Sequence, residues 1–336
     1  MSGLVPLIEL SRGGTLECQH LGAVAVVNTQ GRLLAHAGDA HWLTFSRSTL
    51  KALQALPFVE AGGPQQLGFG SEQLAMMCAS HSGEDRHVTQ VQGMLDKVGL
   101  SHKALQCGCH APLFTELGIA APPGLVVDER HHNCSGKHAG FLAYCVQHGL
   151  PIVDYLDPAH ALQQAVRRAV ARAVRLPEQA LKMGIDGCSA PNYAMPLAHL
   201  ALGYARLASG AQDSEFGASF AQLGQAMAAH PDLVSGTGRS DLAFMRAGRG
   251  GWVTKVGAAG VQVVASKSRG EAFALKIIDG DQAALYAATV EVLEQLGWLD
   301  EQQREELRPW RAEAILNARG LQVGERRAVF ALQHSR

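Results

Sequence analysis

The segment Leu21-Gly-Ala-Val-Ala-Val-Val27 is apolar and rich in β-branched residues, and it predicts a buried strand. Residues 28–31, Asn-Thr-Gln-Gly, are typical of a turn, and residues 32–36 read as a return strand. The N-terminal region is therefore expected to form a β-hairpin. A helix is expected to begin near residues 46–48, directly after this hairpin, and to kink or end at Pro57.

The middle of the chain is helical in pattern, whereas strand patterns return near the C-terminus. Apolar residues recur at three-to-four spacing in four segments, 137–148, 158–174, 193–208 and 214–230. Strands are predicted at 252–257, 261–265, 272–278 and 327–332, with a helix at 281–296. We expect the terminal strands to pair into one antiparallel sheet with flanking helices, and a helical middle at about 137–250. This is an α+β fold, predicted as a single domain over residues 1–336.

Composition excludes several classes of function. Among 336 residues, 29 Lys and Arg balance 30 Asp and Glu, so no overall field attracts nucleic acid or an anionic membrane. No run of about 18 apolar residues predicts a membrane-spanning helix. The N-terminus lacks the basic and apolar regions of a signal peptide, and the seven cysteines are expected to be reduced. A cytoplasmic enzyme or binding protein with a small-molecule ligand is the class that remains.

The first chemical signal is Ser48-Thr-Leu-Lys51 at the start of the helix that follows the hairpin. Residues at i and i+3 share one helical face, so the hydroxyl and the amine are expected to lie within reach of each other. A free lysine has a pKa of about 10.4 and is a poor base near neutrality, so burial and a neighbouring cation would have to lower that value. The motif alone is weak, because any helix start can contain it.

A second signal strengthens this interpretation. Lys255-Val-Gly257 lies on a predicted strand, and S-x-x-K together with K-x-G are two marks of penicilloyl serine transferases. Glycine at the third position lets a substrate approach the strand edge. Ser80, in the loop at residues 79–84, stands where the third mark is expected, although it does not match that mark in full. The residues therefore favour a Ser–Lys acyl-transfer enzyme that acts on an amide, with Lys255 as the cation beside Lys51.

Cysteines give a third signal. Cys134 opens the run Cys-Ser-Gly-Lys-His at residues 134–138, and Cys188 follows 54 residues later. Zinc usually needs three or four protein ligands, and lysine is a rare one because its amine must first lose a proton. Spacing alone therefore favours buried free cysteines over a metal site. Cys107-Gly-Cys109-His110 is a rival metal motif without standard zinc spacing, and we interpret it as structural.

Taken together, six segments resemble the rhizobial-type (class 3) L-asparaginase family. They occur in family order across about residues 5–335, and they are 45–57, 79–84, 107–112, 133–141, 184–191 and 255–261. The resemblance implies a serine-dependent amidohydrolase that is related in fold to serine β-lactamases and penicillin-binding proteins. It also implies a homodimer.

The resemblance also assigns roles to individual residues. The catalytic residues it implies form two Ser–Lys pairs, Ser48 with Lys51 and Ser80 with Lys255. The zinc ligands it implies are Cys134, Lys137 and Cys188, with the metal assisting substrate binding rather than generating the nucleophile. The substrate-binding residues it implies are Arg47, His138 and Asp186. The family pattern has an acidic residue where this chain has Ala259, so the preferred substrate is the property expected to differ.

The expected reaction is hydrolysis of L-asparagine to L-aspartate and ammonia through an acyl-enzyme. Two alternatives use the same residues differently. A β-lactamase or peptidase shares the Ser–Lys geometry, and it would be acylated by penicillin. A non-catalytic zinc- or amino-acid-binding module would bind its ligand without turnover.

Overall fold

The computed structural model describes residues 3–311 and 313–335, so residues 1, 2, 312 and 336 of the predicted domain lie outside the described part. The strands are β1 Val5–Arg12, β2 Thr15–Asn28, β3 Leu33–Ala37, β4 Leu43–Phe45, β5 Lys182–Ile185, β6 Pro191–Pro196, β7 Trp252–Gly257, β8 Val261–Ser266, β9 Glu271–Ile277, β10 Ala314–Leu316, β11 Gln322–Ala328 and β12 Gln333–His334. The α-helices are α1 Lys51–Gln54, α2 Leu56–Glu60, α3 Gly63–Leu67, α4 Ser71–Met77, α5 Asp85–Lys97, α6 Ser135–Gln147, α7 Ala161–Val174, α8 Leu197–Ser209, α9 Gly217–Ala229, α10 Pro231–Val234, α11 Ser240–Ala247, α12 Gln282–Gln295 and α13 Glu301–Arg311.

Strands from the two ends of the chain form the main sheet, as the sequence predicts. Its order is β10-β11-β1-β2-β9-β8-β7, and the second half of β2 also pairs with β3, which in turn pairs with β12. Every neighbouring pair is antiparallel. With helices packed on this sheet, the predicted α+β class is confirmed.

Strand β2 explains why residues 21–27 are apolar at every position. Successive side chains of a strand point to opposite faces of its sheet. Ala23, Ala25 and Val27 enter the core that contains the helical middle of the chain and α8. Val24 and Val26 enter the second core, beneath α12. Both faces are covered, so alternation of polar and apolar residues is lost where the strand is most central.

A smaller sheet, β4-β6-β5, leads into the region where the sequence motifs gather. Residues 193–196 were expected to open a helix, but they belong to β6, where Tyr193 pairs with Met183. The helix α8 begins only after Pro196, which has no N–H to donate and fits a helix start. The predicted helix is therefore confirmed from Leu197 onward, and only its first turn, residues 193–196, was assigned wrongly.

Proline 57 also acts differently from the expectation. The helical path breaks at Ala55, two residues earlier, and Pro57 then lies in the first turn of α2. A proline there costs no hydrogen bond, because first-turn N–H groups have no partner inside a helix. The proline therefore begins a helix rather than ending one.

Within the described residues, no helix is long and apolar enough to cross a membrane.

Glycine 22 tests how tightly β2 is packed. A Cβ atom there would lie 2.2 Å from the Lys276 carbonyl oxygen and 2.5 Å from Leu7 Cδ1. We expect Gly22→Ala to lower the free energy of unfolding by about 1–3 kcal/mol, the usual cost of overpacking. Urea denaturation monitored by circular dichroism measures the change.

Glycine 93 provides the matched control. It lies inside α5, and a Cβ atom added there would have no neighbour within 4 Å, so Gly93→Ala should stabilise the protein by about 0.5–1 kcal/mol. Equal effects of the two substitutions would contradict the close approach of β2 to its neighbours.

Candidate active site

The turn that carries Ser48 is held in an unusual backbone conformation. Strand β4 leads into Ser46 and then into a short 3-10 helix, Arg47–Leu50, which continues as α1. Arg47 has φ of +49°, in the left-handed region that residues other than glycine seldom adopt. Asn192 holds it there, because its side chain accepts from the Arg47 N–H at 3.0 Å and donates to the Arg47 carbonyl at 2.9 Å. Backbone strain of this kind is maintained by the surrounding structure.

The same turn is anchored from two other elements. The Tyr204 hydroxyl on α8 donates to the Thr49 carbonyl at 2.7 Å. Strand β7 lies on the other side, where a Cβ atom on Gly257 would come within 3.0 Å of the Ser46 carbonyl oxygen. Glycine was expected at this position to admit a substrate. The structure gives it a different contact, since its missing side chain lets β7 pack against the Ser48 turn.

Lysine 51 is buried and donates to three acceptors. Its Nζ lies 2.5 Å from the Ala79 carbonyl, 3.0 Å from Ser80 Oγ and 3.2 Å from the Asn133 carbonyl. These acceptors come from the loop after α4 and from the residues just before α6. The amine therefore joins three segments that are distant in sequence.

Ser80 and Ser48 differ in how they meet this amine. Ser80 is buried, and its backbone is held by the Val234 carbonyl at 2.9 Å and by the Arg239 guanidinium at 3.0 Å. Ser48 is partly exposed, and its Oγ makes no hydrogen bond to any described residue. The spacing of S-x-x-K suggested that Ser48 would contact Lys51. The amine instead turns inward, because the buried carbonyls of Ala79 and Asn133 need donors.

Lysine 255 is fully buried on β7, and Asp241 is its charged partner. Its Nζ donates to Asp241 Oδ2 at 3.2 Å and to the Val256 carbonyl at 3.0 Å. The pKa of Lys255 is lowered to about 8, mainly by burial and also by the nearby Lys51 and Arg239 cations, while Asp241 opposes the shift. Among the described residues, Lys255 Nζ makes no hydrogen bond to Ser80. The second predicted pair, Ser80 and Lys255, is therefore not joined directly.

Asp241 was absent from the sequence-based candidates. It lies in the first turn of α11, a helix of eight residues whose apolar spacing gave no clear signal. An acidic residue is typical of a first helical turn, where it interacts with the positive end of the helix, so the pattern had an ordinary explanation. Only its burial beside a lysine, a tertiary feature, identifies it.

Two glycines place the predicted metal ligands. A Cβ on Gly136 would lie 2.3 Å from the Met76 carbonyl oxygen, and one on Gly140 would lie 2.5 Å from Met77 Cε. Helix α6 therefore packs closely on α4, and Lys137 in its first turn is buried. Lys137 Nζ donates to Cys188 Sγ at 3.0 Å, across from the loop that precedes β6.

The two thiols of this cluster, Cys134 and Cys188, differ in how readily they lose a proton. The Cys134 thiol, hydrogen bonded to Cys188, lowers the pKa of the Cys188 thiol, and the Lys137 ammonium lowers it further. His138 is buried beside them, with Nδ1 2.7 Å from the Tyr155 hydroxyl. Its Nε2 has no hydrogen-bond partner in the part of the chain that the structure describes.

These residues fit a zinc ion in donor chemistry. Two thiols and one amine converge in a buried site, and thiolate is a preferred zinc ligand. Among residues 3–311 and 313–335, no three His, Cys, Asp or Glu side chains meet as a metal site. A third protein ligand beside Cys134 and Cys188 would have to be of another type, and the Lys137 amine is the group in contact with Cys188.

Arg47 and Asp186 form an ion pair between the two clusters. Arg47 Nε lies 2.8 Å from Asp186 Oδ1, and the Arg47 side chain is 30% exposed while that of Asp186 is 9% exposed. The third predicted substrate-binding residue, His138, is buried and lies next to Tyr155 and Cys188 instead of in this ion pair.

Ala259 lies at the tip of the hairpin between β7 and β8. Its φ is +58°, and its carbonyl accepts a hydrogen bond from the buried amine of Lys276. Burial lowers the pKa of Lys276, and the Arg47 cation lowers it further. The position where an acidic residue is expected therefore adjoins a lysine.

Comparison with known proteins gives the following. The profile of a family described as L-asparaginase II matches residues 8–328. Among solved structures, the chain is similar to the crystal structure of a β-lactamase from Mycobacterium bovis, at 14% sequence identity and a TM-score of 0.42, covering 82% of this chain and 94% of that chain. No curated protein matches the chain. The matched family region contains every site residue described above.

The two hydrogen bonds by which Asn192 holds the Arg47 backbone, here called the clamp, can be tested by substitution. Asn192→Ala removes both hydrogen bonds to Arg47 and leaves buried polar groups unpaired, so we expect a loss of about 2–3 kcal/mol in unfolding free energy. Asn317 is the control, because its side chain accepts from two backbone N–H groups in an exposed turn. Asn317→Ala should cost about 1 kcal/mol or less. Equal losses in chemical denaturation would contradict the clamp.

Proposed function

We propose L-asparagine hydrolysis as the activity of this chain, which belongs to the L-asparaginase II family. The observation that carries the proposal is the buried Lys51 amine, hydrogen bonded to Ser80 beside the partly exposed Ser48. A nucleophile must reach the substrate, whereas a general base acts best where bulk water is excluded from it. Ser48 meets the first requirement and Lys51 the second.

The proposed reaction proceeds in two steps. Ser48 Oγ attacks the side-chain carbonyl of asparagine, and its hydroxyl proton passes to Ser80, which gives its own proton to neutral Lys51. The tetrahedral intermediate collapses with cleavage of the C–N bond, and ammonia leaves with a proton from the lysine. Water then attacks the aspartyl ester, with Lys51 as base, and releases L-aspartate and free Ser48. The Ser48 N–H would stabilise the oxyanion, because the Arg47 N–H is already donated to Asn192.

Ser80 suits the role of a proton relay because of its chemistry. Two of the three Lys51 partners are carbonyls, which only accept hydrogen bonds. A hydroxyl can both accept and donate. When Lys51 loses a proton, Ser80 can reverse its bond and donate to the amine, so the buried nitrogen keeps three partners in both charge states.

Zinc belongs to the proposal as an aid to substrate binding. Cys134, Lys137 and Cys188 would hold the ion, with His138 next to them. A bound zinc ion supplies positive charge and open coordination positions for a polar ligand. In this chain, the loop that carries Cys188 also carries Asp186, the partner of Arg47, so the proposed zinc site adjoins the proposed substrate pocket.

An ammonia-release assay at pH 7–9 tests the activity and its nucleophile. The wild-type protein should release ammonia from asparagine, whereas Ser48→Ala should lose at least about 10³-fold in kcat, because the acylated atom is gone. Ser80→Ala should retain residual turnover at about 10²-fold reduction, because only proton transfer is impaired. Mass spectrometry of quenched reactions should locate the acyl group on residue 48. Absence of ammonia from wild type, or an acyl group on residue 80, would overturn the assignment.

Lys51→Arg gives a separate test of the base. Arginine keeps the positive charge but cannot lose its proton, so activity should fall to the level of Lys51→Met. The matched control is Lys97→Arg on the exposed end of α5, which should leave activity unchanged. Substantial activity in the Lys51→Arg variant would show that the lysine acts only as a charge.

Metal content and assembly complete the proposal. We expect about one zinc per chain by elemental analysis of wild-type protein, and loss of that zinc in Cys188→Ala. Cys145→Ala removes another buried thiol, which lies near the end of α6 whereas Lys137 lies near its start. This variant should retain the metal. Equal zinc in all three samples would place the ion elsewhere.

The homodimer that the family resemblance implies should appear in sedimentation equilibrium as twice the chain mass.

A further inference from the structure

Asp241 is a buried carboxylate to which no role has yet been given. It is 1% exposed in the first turn of α11, and it faces β7 and β8 of the main sheet. A carboxylate in such a place must be fully paired, because burying an unpaired charge is costly. Its partners therefore indicate what it does.

Four donors occupy the two oxygens of Asp241. Oδ1 accepts from Thr254 Oγ1 at 3.0 Å and from Gln262 Nε2 at 3.2 Å. Oδ2 accepts from the Val256 N–H at 2.9 Å and from Lys255 Nζ at 3.2 Å. Because the first three donors fix the carboxylate on the sheet, the position of the fourth partner, Lys255, is fixed as well.

The charges around Lys255 make this partner necessary. Lys51 and Arg239 face it and oppose its protonation. The Cys78 thiol also lies near it, with a pKa raised to about 12 by burial, and is uncharged. Tyr204 and Tyr286 lie near the carboxylate, and burial raises the pKa of both phenols. Among these groups, Asp241 is the anion that balances the charge of Lys255.

The geometry leaves one donor of Lys255 unused. An ammonium group has three N–H donors, and two are taken by Asp241 and the Val256 carbonyl. The third has no acceptor among the described residues. A lysine held in this way keeps a single N–H free, and Lys51 lies near it.

We propose that Asp241 is a positioning residue that holds Lys255 in place as an ammonium ion, with one N–H directed to the acyl-transfer site. The inference rests on the proposed function for its catalytic consequence, but the pairing itself does not. Asp241 does not contact substrate, and it acts through Lys255. Lys255 keeps its proton through the cycle and acts as a hydrogen-bond donor beside the reacting groups, so no further reactant is needed.

The pH dependence of kcat tests this role. In Asp241→Asn the amide no longer favours the charged form of Lys255, so that lysine deprotonates at lower pH. The basic limb of the profile should move down by about one unit or more, and kcat should fall about tenfold or more with little change in KM. Thr254→Val is the matched control, because it removes one hydrogen bond to Asp241 without removing the charge. Its basic limb should coincide with that of wild type.

A profile for Asp241→Asn that superposes on wild type would overturn the proposal. So would an equal shift in Thr254→Val, because a structural role alone would then explain both. Wild-type ammonia release is measured in the same series. If wild type releases none, the proposed function fails, and the pairing is judged on stability alone.

A double-mutant cycle supplies that stability measurement. Asp241→Asn leaves a buried lysine unpaired and should lower the midpoint of urea unfolding. Adding Lys255→Met removes the unpaired amine, so Asp241→Asn should cost less in the Lys255→Met background than in wild type. If Asp241→Asn alone does not fold, the double variant should still fold. An equal cost in both backgrounds, or failure of both variants to fold, would contradict the charge pairing.

Discussion

The rest of the site depends on one constraint, the burial of the Lys51 amine. Burying an amine is costly unless its N–H groups find acceptors, and those of Lys51 find the Ala79 carbonyl, Ser80 and the Asn133 carbonyl. The loop after α4 and the start of α6 must therefore meet at the first turn of α1. Gly136 and Gly140 make this possible, because larger residues would hold α6 away from α4. The amine thus determines the packing of two helices as well as the chemistry beside it.

A second buried lysine makes the electrostatic balance of the site unusual. Lys255 lies opposite Lys51, and both are nearly inaccessible to solvent. Burial penalises the charged form of Lys255, and the second amine nearby adds to that penalty. The Asp241 carboxylate offsets this penalty at Lys255, while Lys51 has only neutral acceptors. The two lysines are therefore in different environments although they occupy one site, which suits them to different roles in proton transfer.

The sequence predicted the architecture better than it predicted the pairing of side chains. The apolar run at residues 21–27 and the C-terminal strand patterns were sufficient for the antiparallel sheet, because burial on both faces leaves a direct mark on composition. The motifs located Ser48, Lys51, Ser80 and Lys255, but spacing along the chain carries no information on distances across it. For that reason the Lys51–Ser80 contact and the role of Asp241 emerged only from the fold. Tyr193 was misassigned because a strand and a helix follow each other there within one apolar run.

Residues 186–192, the loop between β5 and β6 with the first two residues of β6, perform three tasks. Asp186 pairs with Arg47, Cys188 belongs to the sulfur cluster, and Asn192 holds the backbone of Arg47. An insertion or deletion of a single residue in this loop would displace at least one of them. We therefore expect this segment to have the same length in related proteins. Substitutions should be confined to residues such as Gly187, where an added side chain would contact nothing across the site.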